Sequence, residues 1–578
     1  MKRWILLTGI VVLGVAAVVV SERRKVDAEA SPAALLYLVA DTEQELTRMP
    51  VRFARMSDAE EIRIGDELAT MYTGQTRDSE KNVETLAVER YLSKVGGPLA
   101  SHAQRRLPYR FHYIPDAPMI NAFALPGGHV YVGGGLLALM DSEDELAAVL
   151  GHEIEHIDHY HCAERAQQEQ ALRRVPLGGL VAIPIFVFEA GYSKDQELEA
   201  DREGTRLAVE TGYSANGAIR MFEAFDRLYQ QYRQREQARA KTPQDEVSQV
   251  ALETLEGYFR SHPLPSERIA QVQKMIASEG WTARPERDLA VAYIFWTARA
   301  QEALSARKYQ QAEQLAARSL KMQPAQPNAQ EVLARAQFAQ AEFAEAANTY
   351  RKVIGENAAN VPLVESLAMA LAAADRRTAA GEFRSWVDSV RGEKPRNAAV
   401  EQAGLSLLAG DAAPAHKLED ELKLSGDSWA PDYIGELGWW YYLGGDYARA
   451  SQLLGQAAQE RPGDVKMWIR RAWTEIEIRR FSDAIQTATN GVWESAGANE
   501  QRFQNERAMA QAVAFWQAKE SEQALRDFDR ALAGQPEWGN AKWVKALYSP
   551  LVAQSAQEMQ VERAERERQR KARLAGNH

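Results

Sequence analysis

A chain of 578 residues exceeds what one compact core supports, so two or more domains are expected. A hydrophobic share of 46% beside 26% charged residues excludes a disordered chain, and a net charge of −11 excludes the basic footprint of a nucleic-acid binder. The single cysteine, Cys162, excludes an internal disulfide and leaves the redox compartment unmarked.

Lys2 and Arg3 precede an uncharged apolar run from Trp4 to Val20. Its length lies between a signal-peptide core and the roughly 20 residues of a spanning helix. Ala28-Glu29-Ala30 offers a small-x-small cleavage site, while Arg23, Arg24 and Lys25 behind the run oppose an export orientation. Residues 1–30 read as a signal peptide or an N-terminal membrane anchor. Either one sends the remainder to the periplasm or another envelope compartment, and the anchor would hold it at a membrane.

Helical spacing of Ile62, Ile64, Leu68 and Met71 predicts a helix over Ser57–Tyr72, with Ser57 and Glu60 placed for a capping box. A second helix over Val83–Val95 is expected to stop at Gly96-Gly97-Pro98. Tyr109–Ile114, Ala122–Leu125 and Val130–Val132 alternate as strands, the last two flanking a Pro126-Gly127-Gly128-His129 turn. Glu143 opens the helix that carries the main motif. Val175–Tyr192 is apolar but broken by prolines and glycines, so a covered loop or short helix is expected there. Helices follow at Gln196–Glu210 and Asn216–Arg233, then a polar excursion over Gln234–Gln249 and a last helix over Ser266–Ser278. A first globular domain is thereby expected over 31–285.

Beyond residue 286 the chain repeats. Tyr309 and Phe343 are 34 residues apart, as are Ala312 and Ala346, Tyr447 and Phe481, and Ala450 and Ala484. Ala312, Ala450 and Ala524 are each followed twelve residues later by a proline, Pro324, Pro462 and Pro536. A 34-residue period with small residues where paired helices meet resembles tetratricopeptide repeats, six or seven of which fit between 286 and 537. Units near Ala380 and Pro414 are degenerate, and one carries an insertion near Val492–Gln504. Such a solenoid implies a protein or peptide partner. Trp439-Trp440-Tyr441-Tyr442 could be a ligand-binding patch, but Trp439 and Trp473 lie one repeat apart, which favours packing between repeats. Residues 538–578 read as a charged C-terminal helix or tail, in which Gln557–Arg573 interleaves glutamate and arginine and could cap the solenoid.

The chemistry centres on His152-Glu153-Ile154-Glu155-His156. Histidines at i and i+4 share one helix face and can reach one metal ion, while Glu153 can reach a water beside it and act as general base. Glu197, forty-one residues after His156, completes a His2Glu ligand set. Asp201, one turn further on, can fix the tautomer of a ligating imidazole. These residues predict one zinc ion per chain. The alternative for Glu197, Glu199, Asp201 and Glu203 is a solvated acidic face. His159 and His161 read as helix-end histidines.

HExxH followed by ExxxD resembles the gluzincin arrangement. Asn121-Ala122-Phe123-Ala124-Leu125-Pro126-Gly127-Gly128 ahead of it is similar to the CaaX-prenyl-protease-type zinc metallopeptidase family, which includes HtpX. A peptidase domain followed by tetratricopeptide repeats resembles its periplasmic, BepA-like branch. The likeness covers roughly Ser57 to Ile276, with the repeats adding the rest. It implies roles near the reaction for His262 and Arg268, in His262-Pro263-Leu264-Pro265-Ser266-Glu267-Arg268. His262 would help at the zinc or the reacting carbonyl, or cover the metal at rest, and Arg268 would support that region. The Ala122–Leu125 segment reads as an edge strand on which an extended substrate backbone pairs, with Asn121, Ala122 and Phe123 as its substrate-binding residues. Lys194 stands where the family usually has arginine.

The expected protein is mainly α, with a gluzincin-type zinc peptidase domain, helical with a small β-sheet, followed by a tetratricopeptide α-solenoid. The expected function is cleavage of unfolded or misassembled envelope proteins. Its rival is an assembly chaperone or scaffold whose peptidase site is latent.

Overall fold

The computed structural model describes residues 56–75, 83–115, 119–173, 192–239, 265–355, 360–391, 394–425, 428–489 and 501–575. The N-terminal segment 1–30, the 175–191 stretch, the excursion beyond Arg239, His262 and the insertion up to residue 500 lie outside them. No described helix is long and apolar enough to cross a membrane. The chain divides between Phe295 and Trp296 into two compact units.

The first unit opens with α1 (Asp58–Gln75) and α2 (Val83–His102). Ser57 Oγ accepts the Glu60 backbone N–H at 3.3 Å and so caps α1. α2 does not stop at Gly96-Gly97-Pro98, as its sequence predicts, but runs through Pro98 to His102. An interior proline costs about 3 kcal/mol. Full burial of Val95 and Leu99 on either side, where α2 packs on its neighbours, offsets that cost.

Three strands follow, β1 (Arg110–Ile114), β2 (Ala122–Leu125) and β3 (His129–Gly133), in the order β1-β3-β2. β1 runs parallel to β3 and β2 antiparallel to it, so β2 is an edge strand. The β2–β3 turn contains Gly127 at φ 78°, a conformation that glycine adopts without a Cβ penalty.

After a short helix α3 (Gly134–Leu137) comes α4 (Glu143–Asp158). Its start is a reciprocal capping box between Ser142 and Glu145. Arg105 fixes the other end, donating from Nη1 to the Ile157 carbonyl at 2.6 Å, while the Gln104 and Arg105 backbone N–H groups bond the Asp158 carboxylate. Every α4 residue from Leu150 to Asp158 is buried, which makes this polar helix the centre of the unit. Around it stand α5 (His161–Arg173), α6 (Lys194–Glu210), α7 (Asn216–Arg239) and α8 (Pro265–Glu279). α7 thus continues as helix six residues past Arg233, into the expected excursion.

The second unit is built of helix pairs. α9 (Ala292–Ser305), whose first residues precede the division, pairs with α10 (Tyr309–Met322), α11 (Pro327–Ala339) with α12 (Phe343–Ile354), and α13 (Val361–Ala374) with α14 (Ala379–Ser389). Then come α15 (Ala398–Leu408) with α16 (Ala413–Ser425), α17 (Ala430–Leu443) with α18 (Tyr447–Glu460), α19 (Val465–Glu477) with α20 (Phe481–Thr489), and α21 (Gln501–Gln517) with α22 (Ser521–Gly534). Among the described residues these make seven pairs, and the units with degenerate sequence are complete. Ala312, Ala346, Ala450, Ala484 and Ala524 are buried where the helices meet. Six of the seven pairs turn through a residue at positive φ: Arg307, Ala341, Gly410, Gly445, Arg479 and Lys519. Beyond α23 (Ala541–Leu547), α24 (Pro550–Ala575) buries Val552, Ala556 and Met559, while residues 563–572 are exposed, so its first half caps the array. Trp440, Tyr441, Tyr442 and Trp473 are almost fully buried, as packing between repeats requires.

Candidate metal centre

The site forms where α4 crosses α6. Gly151 and Gly204 face each other there. A Cβ on Gly151 would meet the Gly204 carbonyl oxygen at 2.6 Å, and one on Gly204 would meet the His152 nitrogen at 2.6 Å. The helices therefore touch backbone to backbone. Glu197, Asp201 and Gly204 fall at i, i+4 and i+7 on α6, so this contact aims both carboxylates at His152 and His156.

Donor atoms of His152, His156 and Glu197 all lie within 4.8 Å of one another. His152 Nε2 is 3.0 Å from His156 Nε2. The Glu197 oxygens lie 3.5 Å from His152 Nε2 and 3.6 Å from His156 Nε2. Tetrahedral zinc with ligands at about 2.0–2.1 Å has ligand–ligand edges of roughly 3.3 Å. The donors present fit such an ion.

The surrounding contacts point the same way. Asp201 Oδ1 lies 2.9 Å from His152 Nδ1, which turns the Nε2 lone pair inward. Arg268 Nε donates to Asp201 Oδ2 at 2.7 Å, Arg268 Nη2 donates to Asp201 Oδ1, and the guanidinium lies 4.2 Å from the centre of the Phe222 ring. Burial raises the Asp201 pKa, but Arg268 and His152 outweigh it and hold the carboxyl below its ordinary value. Burial likewise opposes charge on His152, yet Asp201 and Glu197 raise its pKa to about 10. The cluster favours positive charge at its centre, as a metal cage does.

Glu153 is buried and lines a cavity of about 40 Å³ with Asn121, Ala122 and Phe222. Burial is the main cause that pushes its carboxyl up to about 7. Of the expected substrate strand, Asn121 and Ala122 thus stand beside the general-base candidate. Phe123 does not: its ring stacks on Tyr131 at 4.9 Å within the core, leaving only its backbone for pairing. Arg268 donates from two of its nitrogens to Asp201 and so positions His152 through that carboxylate.

Sequence reasoning missed four contacts. His161 Nδ1 lies 2.9 Å from His156 Nδ1, because Tyr160 at φ 63° turns the chain back after α4. Burial and His159 push the His161 imidazole down to about 4, so it is neutral at physiological pH. The Tyr192 ring stacks on His156 at 4.0 Å, and its backbone N–H bonds Glu197 Oε1 at 3.0 Å. Its hydroxyl meets Cys162 Sγ at 3.1 Å. The spacing of five residues after His156, and of five before Glu197, was the only signal. His159, by contrast, ends α4 and pairs with Glu155 at 2.9 Å.

The description of peptidase family M48 fits residues 86–276. The chain is 31% identical over 221 residues to the putative beta-barrel assembly-enhancing protease of Vibrio cholerae, covering 34% of this chain and 41% of that one. It is 26% identical over 241 residues to the beta-barrel assembly-enhancing protease of Escherichia coli K12, covering 38% and 44%. It is 32% identical over 152 residues to the mitochondrial metalloendopeptidase OMA1 of Schizosaccharomyces pombe, covering 25% and 44%. The chain spans less than half the length of each of these relatives. Residues 86–276 are thus a domain of peptidase family M48, and through it the chain is a homologue of the beta-barrel assembly-enhancing proteases.

Proposed function

We propose that the chain is a zinc-dependent metalloendopeptidase of a cell-envelope compartment, cleaving unfolded or misassembled proteins that its repeat unit recruits. The observation that carries this reading is the convergence of His152, His156 and Glu197 beside a buried Glu153. Two imidazoles and a carboxylate are the donors of a catalytic zinc with one open position. When bound there, zinc would polarise the scissile carbonyl and acidify a water. Glu153 takes the proton of the attacking water and returns it to the leaving amine. Asp201, held by Arg268, keeps His152 in one tautomer, and His161 and Tyr192 hold His156 and Glu197 in place. The Asn121–Ala122 end of β2 offers backbone groups to an extended chain, which suits an endopeptidase that reads main chain more than side chains. Names of the bacterial relatives support an envelope setting.

Metal analysis of the purified protein tests this reading first: about one zinc per chain is expected, and none would end it. Glu153→Gln should retain the zinc and stop cleavage of an unfolded substrate, so that clients remain bound and can be identified. A second reading, a chaperone or scaffold with a latent site, is favoured by the size of the cavity beside Glu153, about 40 Å³, which is too small for a substrate side chain. Wild-type protein that binds unfolded clients without cutting them would select it.

A further inference from the structure

Within the repeat unit, the first helices of successive pairs line an inner cavity of about 340 Å³, in the range of pockets that take small ligands or side chains. The array is closed across it. α23 packs on α13, Glu537 lies 3.8 Å from Arg307, and Lys542 stands 5.8 Å from the Phe343 ring centre.

Charge in this cavity does not balance. Four carboxylates, Glu365, Glu401, Glu436 and Glu506, face two cations, Lys466 and Arg470. Both cations are taken. Lys466 lies 2.5 Å from Glu436 and 3.4 Å from Glu365, and Arg470 lies 2.8 Å from Glu436. Glu506 accepts from Trp473 Nε1 and from the Tyr548 hydroxyl. Glu401 is left over. Only 2% exposed, it receives a single hydrogen bond, from Asn397 Nδ2 at 3.3 Å, and has no ion-pair partner among the described residues. Burial first, then Glu436 and Glu365, push its carboxyl up to about 8. A buried carboxylate without a cation is costly, so this position calls for a positive charge.

A second group is left over as well. Trp543 lines the same cavity at 5% exposure, and its indole N–H has no acceptor among the described residues. Aromatic rings of Phe338, Trp439 and Tyr548 form much of the remaining wall. Rings beside a carboxylate are the surroundings in which cations are recognised. A lone carboxylate and a lone donor together ask for a ligand carrying both a cation and a hydrogen-bond acceptor. A basic residue in a peptide carries both, the acceptor being its carbonyl; a bare amine carries only the first.

We propose that this cavity is a recognition pocket for an arginine or lysine side chain of an extended protein segment, with Glu401 as its counter-ion and the Trp543 indole N–H bonding the segment's backbone. The inference rests on the repeat unit as a recruiting surface and is independent of the metal centre.

The test uses the full chain carrying Glu153→Gln, so that the probe survives, and follows tryptophan fluorescence and calorimetric heat. The probe is the capped peptide acetyl-Ala-Ala-Arg-Ala-Ala-amide, with citrulline for arginine as its uncharged control. Binding of the arginine peptide at least tenfold tighter than the control is expected, and Glu401→Gln should abolish that preference while leaving the helical circular dichroism intact. Equal affinity for the two peptides, or an unaltered preference in Glu401→Gln, would overturn the proposal. Tetramethylammonium binding as tightly as the peptide would overturn its choice of a protein segment. Zinc content and cleavage by the wild-type chain are measured separately, so failure here does not touch the peptidase reading.

Discussion

Glu197 and Asp201 in the first unit are as deeply buried as Glu401 in the second, but their surroundings differ in kind. Around Asp201 each buried charge has a geometric answer: Arg268 forks onto it, and His152 accepts its direction. The centre between His152, His156 and Glu197 asks for a cation, and three donors enclose it from different sides. Glu401 instead sits in a surplus of carboxylates whose two nearby cations are already engaged. Its request comes from one side of a cavity with aromatic walls. The first arrangement suits a small ion held at fixed distances, and the second a larger cation that enters along an extended chain. Convergence of donors, more than the number of acids, separates the two.

The largest effect is expected where the first arrangement does chemistry. Removing the base in Glu153→Gln should lower turnover of an unfolded substrate by about 10²–10⁴-fold with zinc content unchanged. Loss of zinc together with activity would mean that Glu153 shapes the cage and is not its base. Next comes the compensation of buried charge. Arg268→Ala leaves Asp201 without its cation in a dry site, and stability in urea should fall by about 3–5 kcal/mol. A loss near zero would show that water reaches Asp201 and that the fork is ornamental. Convergence itself depends on the crossing of α4 and α6. Gly204→Ala places a Cβ 2.6 Å from the His152 nitrogen and 2.7 Å from the Gly151 carbonyl carbon, so the helices must part. About 1–3 kcal/mol of stability should be lost, with weaker zinc retention against a chelator. Unchanged zinc retention would separate helix contact from ligand convergence.

How much of this was legible in the sequence follows from the range of each interaction. His152 with His156, and Glu197 with Asp201, are one helical turn apart, so their shared faces follow from spacing alone. The 34-residue period exposed the repeats for the same reason. Contacts that join distant segments were not legible. Gly151 and Gly204 are ordinary helix residues until α4 and α6 meet, and Tyr192 gains a role only by stacking on His156. α2 passes through Pro98 because burial of Leu99 outweighs a local rule that the sequence states clearly. The repeat unit's cavity needs α23 to reach α13, across some 170 residues of chain. Nothing in the Trp439–Tyr442 run told its packing residues from those that also face that cavity.

The second arrangement is tested most directly by the pH dependence of stability. In the folded chain burial, with Glu436 and Glu365, raises the Glu401 pKa from 4.5 to about 8. The folded state thus keeps a proton that the unfolded chain releases, and stability contributed by this group falls as pH rises through that window. Its slope reaches about 1.4 kcal/mol per pH unit. Glu365 on α13, Glu436 on α17, Lys466 and Arg470 on α19 and Glu506 on α21 also face this cavity, and they are common to the wild type and to Glu401→Gln. The difference between their two urea-midpoint profiles therefore reports Glu401 together with its coupling to Glu436 and Glu365. Glu401→Gln should gain on the wild type steadily from pH 5 to 8 and run parallel to it outside that window. Parallel profiles throughout would mean that Glu401 already has its cation. Where the difference appears, a saturating arginine peptide should flatten the wild-type slope as the substitution does, because the guanidinium takes the place of the proton.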